Sequence, residues 1–229
     1  MSLADLPDDI FQIIVKKFGD EDAYYLAPVI LTNKQGRDIG LSKEVVQSAN
    51  LTALCLEPKK IFPGGVARTF FTRCLDVENH QAVYYEGLRL ITRERDISGS
   101  LALLNQLVPT HESANVAYAM FQMCAGRGDL AGATFNMIFD ELGDRLWFNN
   151  YSPYLEMECE GLIETLFSYE PPNEDTFGPI WEFAYSERIC VCDCAYWHEE
   201  EFIAKDVTSS MQHYVYAKFS KSSSINVKL

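Results

Sequence analysis

Basic residues are scarce in this chain: nineteen Lys and Arg face thirty-three Asp and Glu, giving a formal net charge of −14. The imbalance is local, because residues 140–206 hold seventeen Asp and Glu against only Arg145, Arg188 and Lys205, and the remainder is balanced. A nucleic-acid partner is excluded on that count, since phosphate binding needs a basic footprint. The acidic stretch reads as solvated surface, with recruitment of a basic protein segment as the alternative. No run of about 18 apolar residues occurs, so no membrane span is expected.

A basic leader is missing too: Asp5, Asp8 and Asp9 stand where one would lie, so the opening stretch is not expected to act as a signal peptide. Without export, seven cysteines, an odd number, read as reduced thiols of a cytoplasmic or nuclear protein. The sequons Asn50-Leu51-Thr52 and Asn150-Tyr151-Ser152 then carry no weight. Histidine is sparse: His80, His111, His198 and His213 stand far apart, in no nucleophile or metal motif. The Pro63-Gly64-Gly65-Val66 stretch lacks the lysine of a phosphate loop. Catalysis is not expected.

What is present is apolar and aromatic: 48% and 13% of the residues, enough for a packed core. The pattern opens at Leu6-Pro7-Asp8-Asp9-Ile10. Pro7 suits a first helical turn, and Asp8 and Asp9 favour the positive end of the helix dipole. Ile10, Ile13, Ile14 and Phe18, with Leu6 before them, recur at spacings of three and four, which predicts a short amphipathic helix with that face inward or partnered. Gly19-Asp20-Glu21-Asp22 is predicted to break it and to cap a second helical segment, interrupted at Pro28. Residues 41–51 supply a third helix, with Ser42 as its cap. Three short helices bury little surface alone, so such a module needs a partner.

The stretch 56–66, rich in Pro, Gly and Lys, reads as a boundary. Beyond it, a shift of 33 residues lays Val83, Tyr85, Leu88 and Leu90 over Val116, Tyr118, Phe121 and Met123. Asp96, Ile97 and Gly99 follow over Asp129, Leu130 and Gly132 without a gap. That period predicts paired-helix repeats, with helices near 78–92, 97–108, 112–125 and 129–142. Gly87 and Gly99 stand where helices could approach closely. Stacked pairs share a core, so the segments 66–76 and 151–168 are expected to cap them. The aromatics Tyr84, Tyr85, Tyr118 and Phe121 are the first place to look for a target-binding face, with core packing as the competing reading.

Late in the chain Cys190, Cys192 and Cys194 precede Trp197, His198, Glu199 and Glu200. Thiolates and imidazole are zinc donors, with Cys159 as the outside candidate for a fourth ligand. One residue between successive cysteines is fewer than common structural sites use, so neither metal nor other cofactor is expected. An extended segment would turn all three to one side, as three core residues. A redox role lacks a nearby basic residue to lower a thiol pKa. The tail after residue 219 is polar.

Leu6-Pro7-Asp8-Asp9-Ile10, Ile13-Ile14-Val15, Leu31-Thr32-Asn33-Lys34 and the following Ser42–Leu51 stretch resemble an F-box over roughly residues 3–50. Asn33 and Gly36 depart from the pattern, which usually has Cys or Ser at the first and a bulky aromatic at the second. The part behind it is similar to tetratricopeptide and Sel1-like repeats. The whole, with its late Cys-rich segment, resembles a family of small plant F-box proteins.

The resemblance implies a mainly α fold: an F-box module (3–50), a helical-hairpin repeat domain with capping helices (66–168) and a Cys-rich cap segment (180–219). It further implies docking on the Skp-type adaptor, and through it a cullin, by Leu6, Pro7, Ile10, Ile14, Leu31 and Lys34. The repeats would hold a protein substrate, and chemistry would belong to other chains. The alternatives are a repeat-based interaction scaffold that no longer binds the adaptor, and a thiol- or zinc-dependent activity around Cys190–His198.

Overall fold

The computed structural model describes residues 6–142 and 153–169. Among them the chain is mainly helical, with no strand. The helices are α1 (Asp8–Glu21), α2 (Leu26–Thr32), α3 (Lys34–Gly40), α4 (Lys43–Ser48), α5 (Thr52–Cys55), α6 (Pro58–Ile61), α7 (Arg68–Asp76), α8 (His80–Arg89), α9 (Ile97–Leu104), α10 (Glu112–Cys124), α11 (Gly128–Leu142) and α12 (Pro153–Ser168). A 3-10 turn, Ala23–Tyr25, precedes α2, and a π-helical turn, Leu90–Glu94, follows α8. The chain divides into two compact units, one ending at Arg89 and the other starting at Leu90.

In the first unit α1 carries the expected signals, with Pro7 at its N-cap and Asp8 and Asp9 in its first turn. Its inward face is not the expected one. Phe11, Val15 and Gly19, spaced by four, are the buried residues, while Ile10, Ile13 and Phe18 are exposed. The helix is apolar on both sides, and the core takes only one. Gly19 is no breaker: α1 continues to Glu21, and Leu26 packs so closely over Gly19 that a Cβ there would lie 3.3 Å from its Cδ1.

The breaks fall later. Asp22 accepts the Tyr24 amide hydrogen bond at 2.8 Å and caps the 3-10 turn. Pro28 sits in the first turn of α2, where a missing N–H leaves nothing unpaired. The sequence pattern did not reveal α3, whose signal is its N-cap: Asn33 Oδ1 accepts from the Gly36 amide at 2.7 Å. Ser42 does precede α4, but its side chain makes no cap bond and its Oγ is buried without a partner.

The supposed boundary is part of the core. Ile61 is fully buried and Phe62 packs against the same cluster, which runs without interruption from Phe11, Val15 and Leu26 through Val45, Leu51 and Leu54 to Phe71, Cys74 and Ala82. Six short helices offer too little apolar surface among themselves, and α7 and the start of α8 complete the burial.

Asn79 makes the join specific. It is 2% exposed; its Nδ2 donates to the carbonyls of Val46, Gln47 and Ala49 at 2.9–3.0 Å, while its Oδ1 accepts from the Ala82 amide at 3.1 Å. One amide therefore closes the C-terminus of α4 and opens α8. Gln81 adds a second tie, accepting from the Leu51 amide and donating to Thr52 Oγ1.

In the second unit α10 is the central helix, packing against α9, α11 and α12. Of the residues that the 33-residue shift pairs, Val83 and Val116 are buried, Tyr85 and Tyr118 half-buried, Leu88 and Phe121 fully buried, and Leu90 and Met123 half-buried, whereas Ile97 is half-buried and Leu130 exposed. Gly99 serves a different end from the one its size suggested. Its amide donates to Asp96 Oδ1 at 2.8 Å, capping α9, and a Cβ there would run into the same carboxylate.

Arg95 holds φ at 59°, in the left-handed region, and its side chain is exposed. Arg95→Gly is therefore expected to stabilise the second unit by about 1 kcal/mol, because glycine has no Cβ to strain there. A higher urea midpoint with an unchanged denaturant slope is the outcome that checks it.

Candidate docking surface

The candidate site lies at one end of the first unit, where α1 begins and where α2 turns into α3. A single extended residue, Asn33, joins these two seven-residue helices. Such an elbow requires very close packing. At Gly36 a Cβ would collide with the Val29 backbone carbonyl oxygen; at Gly40 it would lie 2.8 Å from Ile30 Cγ1. The two departures from the F-box pattern are therefore one local device: Asn33 caps the helix that Gly36 allows to approach. No aromatic side chain fits at 36 in this backbone.

Gln35 in the first turn of α3 donates from Nε2 to Asp8 Oδ1 in the first turn of α1, at 2.5 Å. That bond ties the elbow to the start of α1 and so brings residues 7–10 and 31–34 to the same end of the unit. Pro7 and Lys34 are exposed there, Ile10 is 43% exposed and Leu31 82%. Leu6 and Ile14 are half-buried, with Leu6 packed against the core. Ile13, 55% exposed, lies on the same stripe of α1 as Ile10 and Lys17. It belongs to the face, and its threefold spacing from Ile10 was the signal for it.

The aromatics of α8 and α10 divide differently. Tyr84 and Phe121 are buried, so they serve the core and not a ligand, while Tyr85 and Tyr118 keep part of their surface.

The most polar buried arrangement lies elsewhere in the first unit. Glu86 of α8, only 6% exposed, receives a bidentate pair of bonds from Arg68 (2.8 and 2.9 Å) and two more from Arg89 (both 2.9 Å). Arg68 also donates to the Ile61 carbonyl at 3.1 Å, and its guanidinium lies 5.6 Å from the Phe71 ring centre. Burial alone would push the Glu86 carboxyl up. The hydrogen bonds from Arg68 and Arg89 outweigh it and hold the group down at about 2. A carboxylate so firmly ionised is no proton donor near neutral pH. Its role is structural.

No nucleophile emerges from the described thiols. Cys55, Cys74, Cys124 and Cys159 are buried. Burial raises the pKa of Cys55 and Cys124, and pushes Cys74 up to about 12. His111 caps α10, its Nδ1 accepting from the Ala114 amide at 3.2 Å.

Comparison with known families, characterised proteins and solved structures finds no match. The surface has to be read from its own chemistry. Among the described residues, no group of three or more His, Cys, Asp and Glu could hold a metal ion, and no helix is long and apolar enough to cross a membrane. Cys190, Cys192, Cys194 and His198, with the whole 180–219 segment, lie outside the described residues.

Proposed function

We propose that this chain is the substrate-receptor subunit of an SCF-type cullin-RING ubiquitin ligase. The corner formed by Pro7, Ile10, Leu31 and Lys34, with Leu6 and Ile14 beneath, docks on the Skp-type adaptor, and the helical region beyond holds a target protein. One observation carries the reading. The first unit completes its core with Phe11, Val15 and Leu26, yet leaves Ile10, Ile13 and Leu31 exposed to solvent. Exposed aliphatic side chains of this kind are what a protein partner desolvates.

The catalytic contribution of such a subunit is proximity: a tethered target lysine meets the conjugating enzyme at raised effective concentration. A second reading, an adaptor-independent repeat scaffold, is favoured by the elbow, where Gly36 leaves no bulky side chain to offer the adaptor.

Co-purification with a Skp-type adaptor separates the two. The intact chain is expected to bind, and Ile10→Asp or Leu31→Asp to reduce binding at least about 100-fold by burying a charge at the interface. Because both side chains already face water, thermal stability should be nearly unchanged. No binding by the intact chain leaves the scaffold reading.

A further inference from the structure

We infer that Gly40 is a positioning residue for the docking corner: the absence of its Cβ sets how closely α3 lies against α2, and so where Leu31 and Lys34 stand relative to Ile10 and Ile13. The inference rests on the adaptor-docking reading for its consequence, though not for its geometry.

Gly40 ends α3 and is buried, and Ile30 lies over it at a distance that leaves no room for a methyl group. Ile30 belongs to the last turn of α2, directly before Leu31. Ile30 branches at Cβ, so its Cγ1 sits close to the backbone and cannot swing away as the tip of a long side chain would. A methyl group at 40 must therefore move one helix relative to the other. The elbow offers one extended residue to absorb that movement; the Gln35–Asp8 bond holds the start of α3 to α1, Arg73 holds the Leu41 carbonyl just past the end of α3, and Leu26 packed over Gly19 holds the start of α2. The displacement then falls on the last turn of α2, which carries Leu31.

If Gly40 had only a local helical role, the outcome would be the reverse. Alanine is the better helix former, so Gly40→Ala would leave docking unchanged and the helix firmer.

The test uses the full chain, a purified Skp-type adaptor and three variants: Gly40→Ala, Ile30→Ala and the double substitution. Gly40→Ala is expected to weaken adaptor binding by about tenfold and to shift the Leu31 methyl resonances. Ile30→Ala removes the obstructing Cγ1, so the double variant should recover to within about threefold of Ile30→Ala alone, with the resonances returning. A folded Gly40→Ala variant with unchanged affinity and unchanged methyl resonances overturns the inference, as does a double variant that stays as weak as Gly40→Ala. If the unsubstituted chain fails to bind the adaptor, the docking reading falls and the methyl resonances alone decide. Displacement and recovery then support the positioning role, and their absence refutes it.

Discussion

Glu86→Gln is expected to destabilise the first unit by roughly 3–5 kcal/mol, the effect seen when one member of a buried ion pair is removed. Two cations share this one carboxylate, and Arg89 is only 5% exposed. An amide at 86 removes the carboxylate charge that faces Arg89 while Arg89 stays charged and buried. Arg68 is less constrained, with 23% of its side chain exposed and a second acceptor at the Ile61 carbonyl. Replacing both buried partners, Glu86→Leu with Arg89→Met, should therefore recover most of the loss, because an apolar pair removes the desolvation penalty along with the attraction. Urea unfolding followed by hydrogen exchange of the α7 and α8 amides reads the effect in this unit alone.

The same cluster sets an acid limit. Glu86 titrates near 2 in the folded chain, below its ordinary 4.5. Its contribution is therefore complete above pH 4.5 and is lost as pH falls from 4.5 towards 2. The stability of the Glu86→Gln variant should lack that component of the acid dependence. Parallel acid curves for variant and parent would sink the assignment.

Asn79→Ala is the second large effect, expected at roughly 2–4 kcal/mol. The substitution strips the donor from three carbonyls at the end of α4, two of these bonds being fully buried, and the N-cap acceptor from α8. Unsatisfied buried acceptors cost about 1–3 kcal/mol and a lost cap about 1. Asn79→Asp keeps the cap acceptor but turns a carboxylate towards three carbonyl oxygens, so it should be at least as damaging.

Continuity of the core has a consequence for dissection. A fragment of residues 1–50 lacks Ile61, Phe71, Cys74 and Asn79, and is expected to stay unfolded, whereas 1–94 should show a cooperative transition by circular dichroism. A stable 1–50 fragment would show that the short helices suffice without α7 and α8.

Much of the helical framework was legible in the residue order. Pro7 with Asp8 and Asp9 marks the start of α1, and the 33-residue period locates α8 to α11 to within a few residues, because capping and apolar spacing are local properties. Two features were not local. Residues 10, 11, 13, 14, 15 and 18 are all apolar, and they spread around so much of α1 that either side could face the core. Only the placement of Leu26, Val45 and Val46 chose Phe11 and Val15 and left Ile10 and Ile13 outside.

Glu86 and Arg89 stand three residues apart on α8, a spacing that carries no sign of burial. They are buried because Arg68, eighteen residues earlier, reaches the same carboxylate. Asn33 and Gly36 stood out in the sequence only as departures from a resemblance; in the elbow one caps α3 and the other admits the Val29 carbonyl. By itself the sequence determined where the chain coils and where it turns, since those preferences reside in a few neighbouring residues. Which side of a coil meets water, and which charges can leave it, depended on partners distant in sequence, and only the assembled fold decided it.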